Sequence, residues 1–253
     1  MVIYFAICFF IFGTIFGSFF QVVGERLPNE QSIVKPSSHC PKCMHKLGPL
    51  ELIPIFSYLI QKGRCKHCHS KIPKLCPIFE AFSGLLFMLA YLSFDLSLEL
   101  IIAWLFISML LIIYVSDCAY MIICDEVLIV FTILIGIAKL FINGYTDVFS
   151  SLLNGLIAFG FMYLLKLLGN FMFKKESMGD GDIKLMFVFG FVLGWQMAII
   201  SIFIGSIVGL PISLYIAMSK KEHIIPFGPF LNTGALIILL LHLDVATILS
   251  YLI

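Results

Sequence analysis

The chain has 253 residues, 61% of them hydrophobic and only 12% charged, with a mean hydropathy of +1.08. A soluble domain carries about twice that share of charge, so the composition excludes an ordinary soluble enzyme and implies a polytopic membrane protein. A net charge of +1 provides no global field for nucleic acid or an acidic partner, yet nine of the sixteen Lys and Arg lie between Arg26 and Lys74.

Residues 2–23 are apolar and uncharged. As a helix they are long enough to cross a hydrocarbon core of about 30 Å. They lack the basic start and small-residue cleavage site of a secretory leader, so a retained first transmembrane helix is expected. Residues 24–76 are the one long polar stretch, with a composition that suits short strands and turns. Apolar runs then predict helices over 77–95, 98–116, 126–142, 148–173, 183–194, 196–218 and 227–243. The run 183–194 is short for a full span, and Gly194 at its end suits a tight turn into the next helix. The expected fold class is an all-α polytopic membrane protein of about eight transmembrane helices with a small zinc-ribbon-like loop. Its parts are a first helix (1–23), a cysteine-rich loop (24–76) and a transmembrane domain (77–253). Gly155, Gly160, Gly190, Gly205 and Gly209 suit close helix contacts in lipid, where packing replaces the hydrophobic drive. There is no internal repeat.

With eight spans, loops 24–76, 117–125, 174–182 and 219–226 share one side and carry nine, zero, two and two Lys or Arg. The connections near 96–97, 143–147 and 195 carry none. Basic excess marks the cytoplasmic side, which predicts an outside N-terminus and a cytoplasmic cysteine loop. Lys139, near an outer end, is expected to snorkel toward the interface.

Two acidic blocks fall on that cytoplasmic side. Asp117 stands where the third span ends, and Met178-Gly179-Asp180-Gly181-Asp182 precedes the sixth. Charges at a membrane segment are costly and default to a functional hypothesis. Two carboxylates brought together share one proton, so one can activate water while the other protonates a peptide carbonyl or leaving amine. Spacing alone leaves Asp125 competing with Asp117 and Asp180 with Asp182, and Asp182 can equally be a helix N-cap. Gly179 and Gly181 allow the loop to bend and a substrate backbone to approach. Lys184 reads as an interfacial group, as do Glu80 and Glu99, with Glu80 also able to bond within the bundle.

Cys40-x-x-Cys43 and Cys65-x-x-Cys68 are separated by twenty-one residues. The spacing is close to that of a four-cysteine zinc ribbon, and a cytoplasmic location disfavours stable disulfides. Four thiolates close a tetrahedral shell, so the zinc is expected to be structural. A redox pair of CxxC motifs is the rival reading. His39, His45, His67 and His69 flank the knuckles as alternative ligands or solvated side chains. Cys8, Cys118 and Cys124 read as small membrane residues, and Cys76 as unliganded.

In this order the chain resembles the aspartic prepilin peptidases, the GxGD membrane enzymes that process type IV prepilins and pseudopilins. Gly17-Ser18-Phe19, Val22-Val23 and Arg26-Leu27-Pro28 resemble the family's entry motif. Pro36-x-Ser38-x-Cys40-Pro41-x-Cys43, Ile53-Pro54-Ile55-x-Ser57 and Gly63-Arg64-Cys65-x-x-Cys68 resemble its cysteine loop. Asp117 with Asp125, Gly179-x-Gly181-Asp182-x-Lys184-Leu185, and Pro226-Phe227-Gly228-Pro229-Phe230 resemble its later blocks. The resemblance implies catalysis by Asp117 and Asp182. It also implies cleavage after the glycine that ends a short basic leader, with a prepilin helix as partner in the lipid of a bacterial cell membrane. Many members also methylate the new N-terminus with S-adenosylmethionine. Cys124 replaces the family's usual proline, and Ile72–Glu80 lacks the usual Arg and Tyr while keeping Pro77 and Glu80. Two alternatives of other classes are a carboxylate-dependent transporter and a zinc-ribbon membrane scaffold of a pilus or secretion assembly.

Overall fold

The computed structural model describes residues 1–176, 178–219 and 226–244. Its elements are α1 (Val2–Arg26), α2 (Phe56–Ile60), α3 (Leu75–Phe94), α4 (Glu99–Tyr120), α5 (Asp125–Asn143), α6 (Tyr145–Phe173), α7 (Asp180–Leu193), α8 (Trp195–Ser219) and α9 (Gly228–Leu240). Among the described residues there is no strand, only two isolated bridges in the polar loop. The chain is an all-helical membrane protein. All eight expected apolar helices form, and five of them, α1, α3, α4, α6 and α8, are long and apolar enough to cross a membrane. At 14 and 13 residues, α7 and α9 reach only about 20 Å. The predicted basic loop 219–226, apart from its two end residues, lies outside the described residues.

The helices separate into two compact units, Met1–Leu96 and a second beginning at Ser97. In the first, α1 lies along α3. A Cβ on Gly13 would come within 2.9 Å of the Gly84 Cα, so the backbones approach as closely as small residues allow. The Ser83 hydroxyl donates to the Gly13 carbonyl at 2.8 Å across this contact. Glu80 of α3 is largely buried and accepts the backbone N–H of Ile55 at 2.8 Å, which ties the polar loop to the helix.

In the second unit α4 is the centre. Phe106, Ile107, Met109, Leu110, Leu111 and Ile113 are all essentially buried. Phe106 meets Phe189 of α7 edge-to-face at 5.7 Å, and Asn232 of α9 donates to the Leu110 carbonyl at 3.2 Å. On its other side α7 packs on α6. A Cβ on Gly190 would sit 2.9 Å from the Gly155 Cα and 2.5 Å from the Asn154 carbonyl oxygen. Gly160 has no such neighbour among the described residues. Gly144 (φ 86°) and Gly194 (φ 85°) are single-residue breaks between α5 and α6 and between α7 and α8. Their left-handed backbone is the one glycine adopts without strain, and the tight turn expected at Gly194 is present.

Three local outcomes differ from expectation. α4 runs to Tyr120 instead of 116, which puts Asp117 inside the helix one turn from its end. α7 begins at Asp180 instead of 183, so both aspartates of the glycine block lie in its first turn. Lys139 does not snorkel but is buried: its Nζ donates to Ser151 Oγ at 2.7 Å and to the Phe191 carbonyl at 3.0 Å, and stands 3.7 Å from Asp147. It thereby fastens the start of α6 and the end of α7 to α5.

Candidate active site and cysteine cluster

Four aspartates lie in the two acidic blocks, and their surroundings divide them. Asp180 accepts from Lys166 of α6 at 2.5 Å. Asp125 accepts from Lys184 of α7 at 2.6 and 2.9 Å. Both pairs are solvent-facing, which makes them weak as stabilisers but sufficient to satisfy the carboxylates. Asp117 and Asp182 have neither lysine. Asp117 is buried in α4, and its Oδ2 has no hydrogen-bond partner among the described residues. Asp182 is half-buried and near enough for the charge of Asp117 to act on it.

Backbone placement brings the helix turns around these two carboxylates to one residue, Ile123. The N-cap of α7 is Gly179, so Asp182 is the third residue of the helix and not its cap. Its Oδ2 turns back over the helix start, 3.7 Å from where a Gly179 Cβ would be. A Cβ on Gly181 would meet the Ile123 Cβ at 2.8 Å. Ile123, in the short connection after α4, therefore packs directly on the α7 turn that carries Asp182. From the other side comes Gly228, the first residue of α9. Any Cβ there would overlap Asp117 Oδ2 and would lie 3.6 Å from the Ile123 Cδ1. Gly228 also turns its backbone N–H toward the Asp117 carboxylate. Three elements thus close on one place, with Ile123 touching two of them.

Sequence reasoning named Asp117, Asp182, Gly179 and Gly181 but gave no role to Gly228 or Ile123. Pro226–Phe230 was a visible signal for the first. Nothing in the sequence marked the second, because an isoleucine in an apolar chain is unremarkable until its neighbours are known.

The polar loop holds the second cluster. The Sγ atoms of Cys40, Cys43, Cys65 and Cys68 all lie within 4.8 Å of one another. Cys40 and Cys68 are 3.7 Å apart and Cys43 and Cys65 3.9 Å, too far for disulfides. Four sulfurs about 2.3 Å from a central ion would be about 3.8 Å apart, so the donor set and spacing are compatible with zinc. Among the described residues no histidine joins the group. The His45 and His67 rings lie tilted against each other with centroids 3.5 Å apart, and His45 contacts Glu51.

The two knuckles are built alike. Cys40 N–H donates to the His45 carbonyl and Cys65 N–H to that of Ser70, while Met44 and His69 donate back to the carbonyls of Cys40 and Cys65. Met44 and His69 both have positive φ, 58° and 55°. The backbone N–H groups of Cys43 and Lys42 pull the Cys40 thiol down to about 6, and the Ser70 hydroxyl lowers that of Cys68. The His45 backbone N–H favours the Cys43 thiolate, but burial and the neighbouring thiols outweigh it and push that thiol up to about 12, so all four become thiolates, the form a metal binds, only with a cation among them.

Beside the cluster lies a cavity of about 440 Å³ lined by Glu51, Gln61 and Lys66 among others. The Gly48 N–H, with His45, holds the Glu51 carboxyl below the usual range, and its Oε1 is buried with no hydrogen-bond partner among the described residues.

Residues 11–94 match the family model for the bacterial peptidase A24 N-terminal domain, and residues 104–214 match that of the type IV leader peptidase family. Three relatives bear the name prepilin leader peptidase/N-methyltransferase. One from Bacillus subtilis (strain 168) is 38% identical over 232 residues, covering 90% of this chain and 91% of that protein. One from Pseudomonas aeruginosa is 30% identical, covering 93% and 90%. One from Neisseria gonorrhoeae is 28% identical, covering 82% and 72%. No solved structure matches this chain.

Proposed function

The chain belongs to the type IV leader peptidase family, and we propose that within it Asp117 and Asp182 form the hydrolytic pair of a prepilin peptidase. Membership favours the peptidase over the transporter and scaffold alternatives. The observation that supports this pair is the division of the aspartates. Asp125 and Asp180 are neutralised by lysines, whereas Asp117 and Asp182, near enough for their charges to interact, have no ion pair among the described residues.

Two carboxylates so placed hold one proton between them. The unprotonated one takes a proton from water, whose oxygen attacks the carbonyl carbon of the scissile bond. The protonated one donates to the carbonyl oxygen as the tetrahedral intermediate forms. The proton gained from water then passes to the leaving amine as the C–N bond breaks. Gly228 keeps the space beside the Asp117 carboxylate clear of a side chain, and Gly181 lets Ile123 pack on the turn that carries Asp182. The substrate is a prepilin or pseudopilin whose leader is cut after a glycine, at the cytoplasmic face of a multi-pass membrane protein with an outside N-terminus. The basic loop 24–76 supports that orientation.

The four-cysteine cluster serves as a structural zinc site, with Cys40, Cys43, Cys65 and Cys68 as ligands. For methyl transfer, the loop cavity is the place whose donors suit S-adenosylmethionine, which supplies the methyl group when bound. The ionised Glu51 offers its free oxygen to ribose hydroxyls or to a sulfonium.

The test is co-expression with a candidate prepilin and mass analysis of the product. A precursor shortened at the leader glycine is expected. A precursor left intact by folded protein refutes the assignment, and a shortened product that never gains 14 Da removes the methyl-transfer part alone.

A further inference from the structure

Two buried oxygens of the second unit accept no hydrogen bond among the described residues, Asp117 Oδ2 on α4 and Asn232 Oδ1 on α9. Asp117 is 5% exposed and Asn232 1%. The Asn232 amide spends its nitrogen, since Nδ2 donates to the Leu110 carbonyl at 3.2 Å. Its oxygen is left over. An unsatisfied buried acceptor costs at least as much as one neutral hydrogen bond returns, so fastening α9 to α4 does not by itself account for an asparagine at 232. A leucine would pack there with no polar atom to satisfy.

The two oxygens lie on one interface. Gly228 and Asn232 are four residues apart and share a face of α9. Leu110 and Asp117 are two turns apart and share a face of α4. Gly228 stands against Asp117 and Asn232 against Leu110, so these are the faces that meet. A Cα–Cβ bond tilts toward the N-terminus of its own helix. In α9 that carries the Asn232 side chain toward Gly228, and in α4 it carries the Asp117 side chain toward Leu110. The orphaned oxygens therefore lean toward each other along the seam. The gap between them is of the order of one helical turn, about 5 Å, which two hydrogen bonds of about 2.8 Å span through one water.

We propose that Asn232 is a positioning residue of the hydrolytic pair, holding a buried water that donates to its own Oδ1 and to Asp117 Oδ2. The inference rests on the reading of Asp117 and Asp182 as that pair. Two polar partners are the fewest that keep a buried water, and here both are acceptors while water brings two hydrogens. The Gly228 N–H already turns toward the same carboxylate. Together the two donors hold the Asp117 side chain in one orientation against α9. This water does not attack the substrate, because Leu110 and Asn232 are each 1% exposed and no peptide reaches between them. Asn232 acts on the reaction only through Asp117.

The experiment irradiates the purified full-length protein briefly with X-rays. Radiolysis turns a bound water into a hydroxyl radical that oxidises the side chains beside it, and mass spectrometry reads the product. Leu110 and Ile113 lie on the Asp117 face of α4 and are 1% and 0% exposed, so bulk water does not label them. Oxidation of one or both is expected in the wild type, lost in Asn232→Leu and kept in Asn232→Ser, whose hydroxyl still accepts. Prepilin cleavage and thermal unfolding are measured on the same preparations. Asn232→Leu should lower kcat about tenfold at unchanged KM, less than the roughly 10²-fold of a 1 Å misplacement, and Asn232→Ser should recover most of it. A wild type unlabelled at both residues overturns the water site and needs no variant to do so. Label retained in Asn232→Leu, or a folded Asn232→Leu with the wild-type kcat, overturns the role of Asn232. A labelled wild type that leaves prepilin uncut overturns the hydrolytic reading, and with it the positioning role, while the water site stands.

Discussion

Replacing Gly228 with alanine sets a methyl group on the Asp117 carboxylate. The added Cβ would overlap Oδ2 and lie 3.2 Å from Cγ, whereas ordinary contact begins at 3.4 Å. Gly228 cannot easily yield, since it opens α9 and that helix is tied to α4 through Asn232 and the Leu110 carbonyl. The carboxylate must instead withdraw by about 1 Å, and a displacement of that size costs about 10²-fold in rate, or about 2.7 kcal/mol of transition-state stabilisation. The assay is the initial rate of prepilin shortening in membranes, with thermal unfolding measured on the same preparation. Gly228→Ala should keep its fold and lose kcat, with cleavage still above that of Asp117→Asn because the carboxyl group remains. A folded Gly228→Ala protein with an unchanged kcat would refute the placement of α9 against Asp117.

Gly181→Ala should also reduce cleavage, because its Cβ meets the Ile123 Cβ at 2.8 Å. Ile123→Gly in the same chain, which removes the opposing Cβ, should restore part of the rate, and a double-mutant cycle without coupling would argue against that contact. Lys139→Met removes the hydrogen bonds to Ser151 and Phe191 and should cost about 2 kcal/mol of stability in denaturant titrations. Unchanged stability would show that the clamp is dispensable. Purified protein should contain about one zinc per chain, and Cys40→Ser/Cys65→Ser should contain none. Metal-free wild type that resists loop proteolysis would contradict a structural zinc.

Apolar runs located the helices because a bilayer leaves the backbone few other options. Their ends were less legible. Asp117 and the Asp180–Asp182 block read as loop because they are polar, yet α4 continues through the first and α7 starts at the second. Acidic residues in a first turn favour a helix N-terminus, so the sequence contained a reason for that start which its polarity masked. The choice among the aspartates was hidden for a different reason. Asp180 and Lys184 are spaced four apart, the spacing of an intrahelical pair, but the fold gives Lys184 to Asp125 and Asp180 to Lys166. Those partners come from other helices, and only the family resemblance ranked the aspartates beforehand. Lys139 misled similarly, since its receptors arrive only when the Gly144 turn folds α6 back. The cysteine cluster was more legible, because two CxxC knuckles state their own spacing.

The most direct measurement compares four single substitutions against one prepilin in the same membranes. Asp117→Asn and Asp182→Asn should abolish leader removal while the proteins remain folded. Asp180→Asn, which loses only an exposed ion pair, should retain catalytic turnover. Asp125→Asn, which likewise loses only an exposed ion pair, should also leave kcat in place. Leader removal that survives in Asp117→Asn or Asp182→Asn, or a kcat lost in Asp125→Asn or Asp180→Asn alone, would contradict the assignment of the pair.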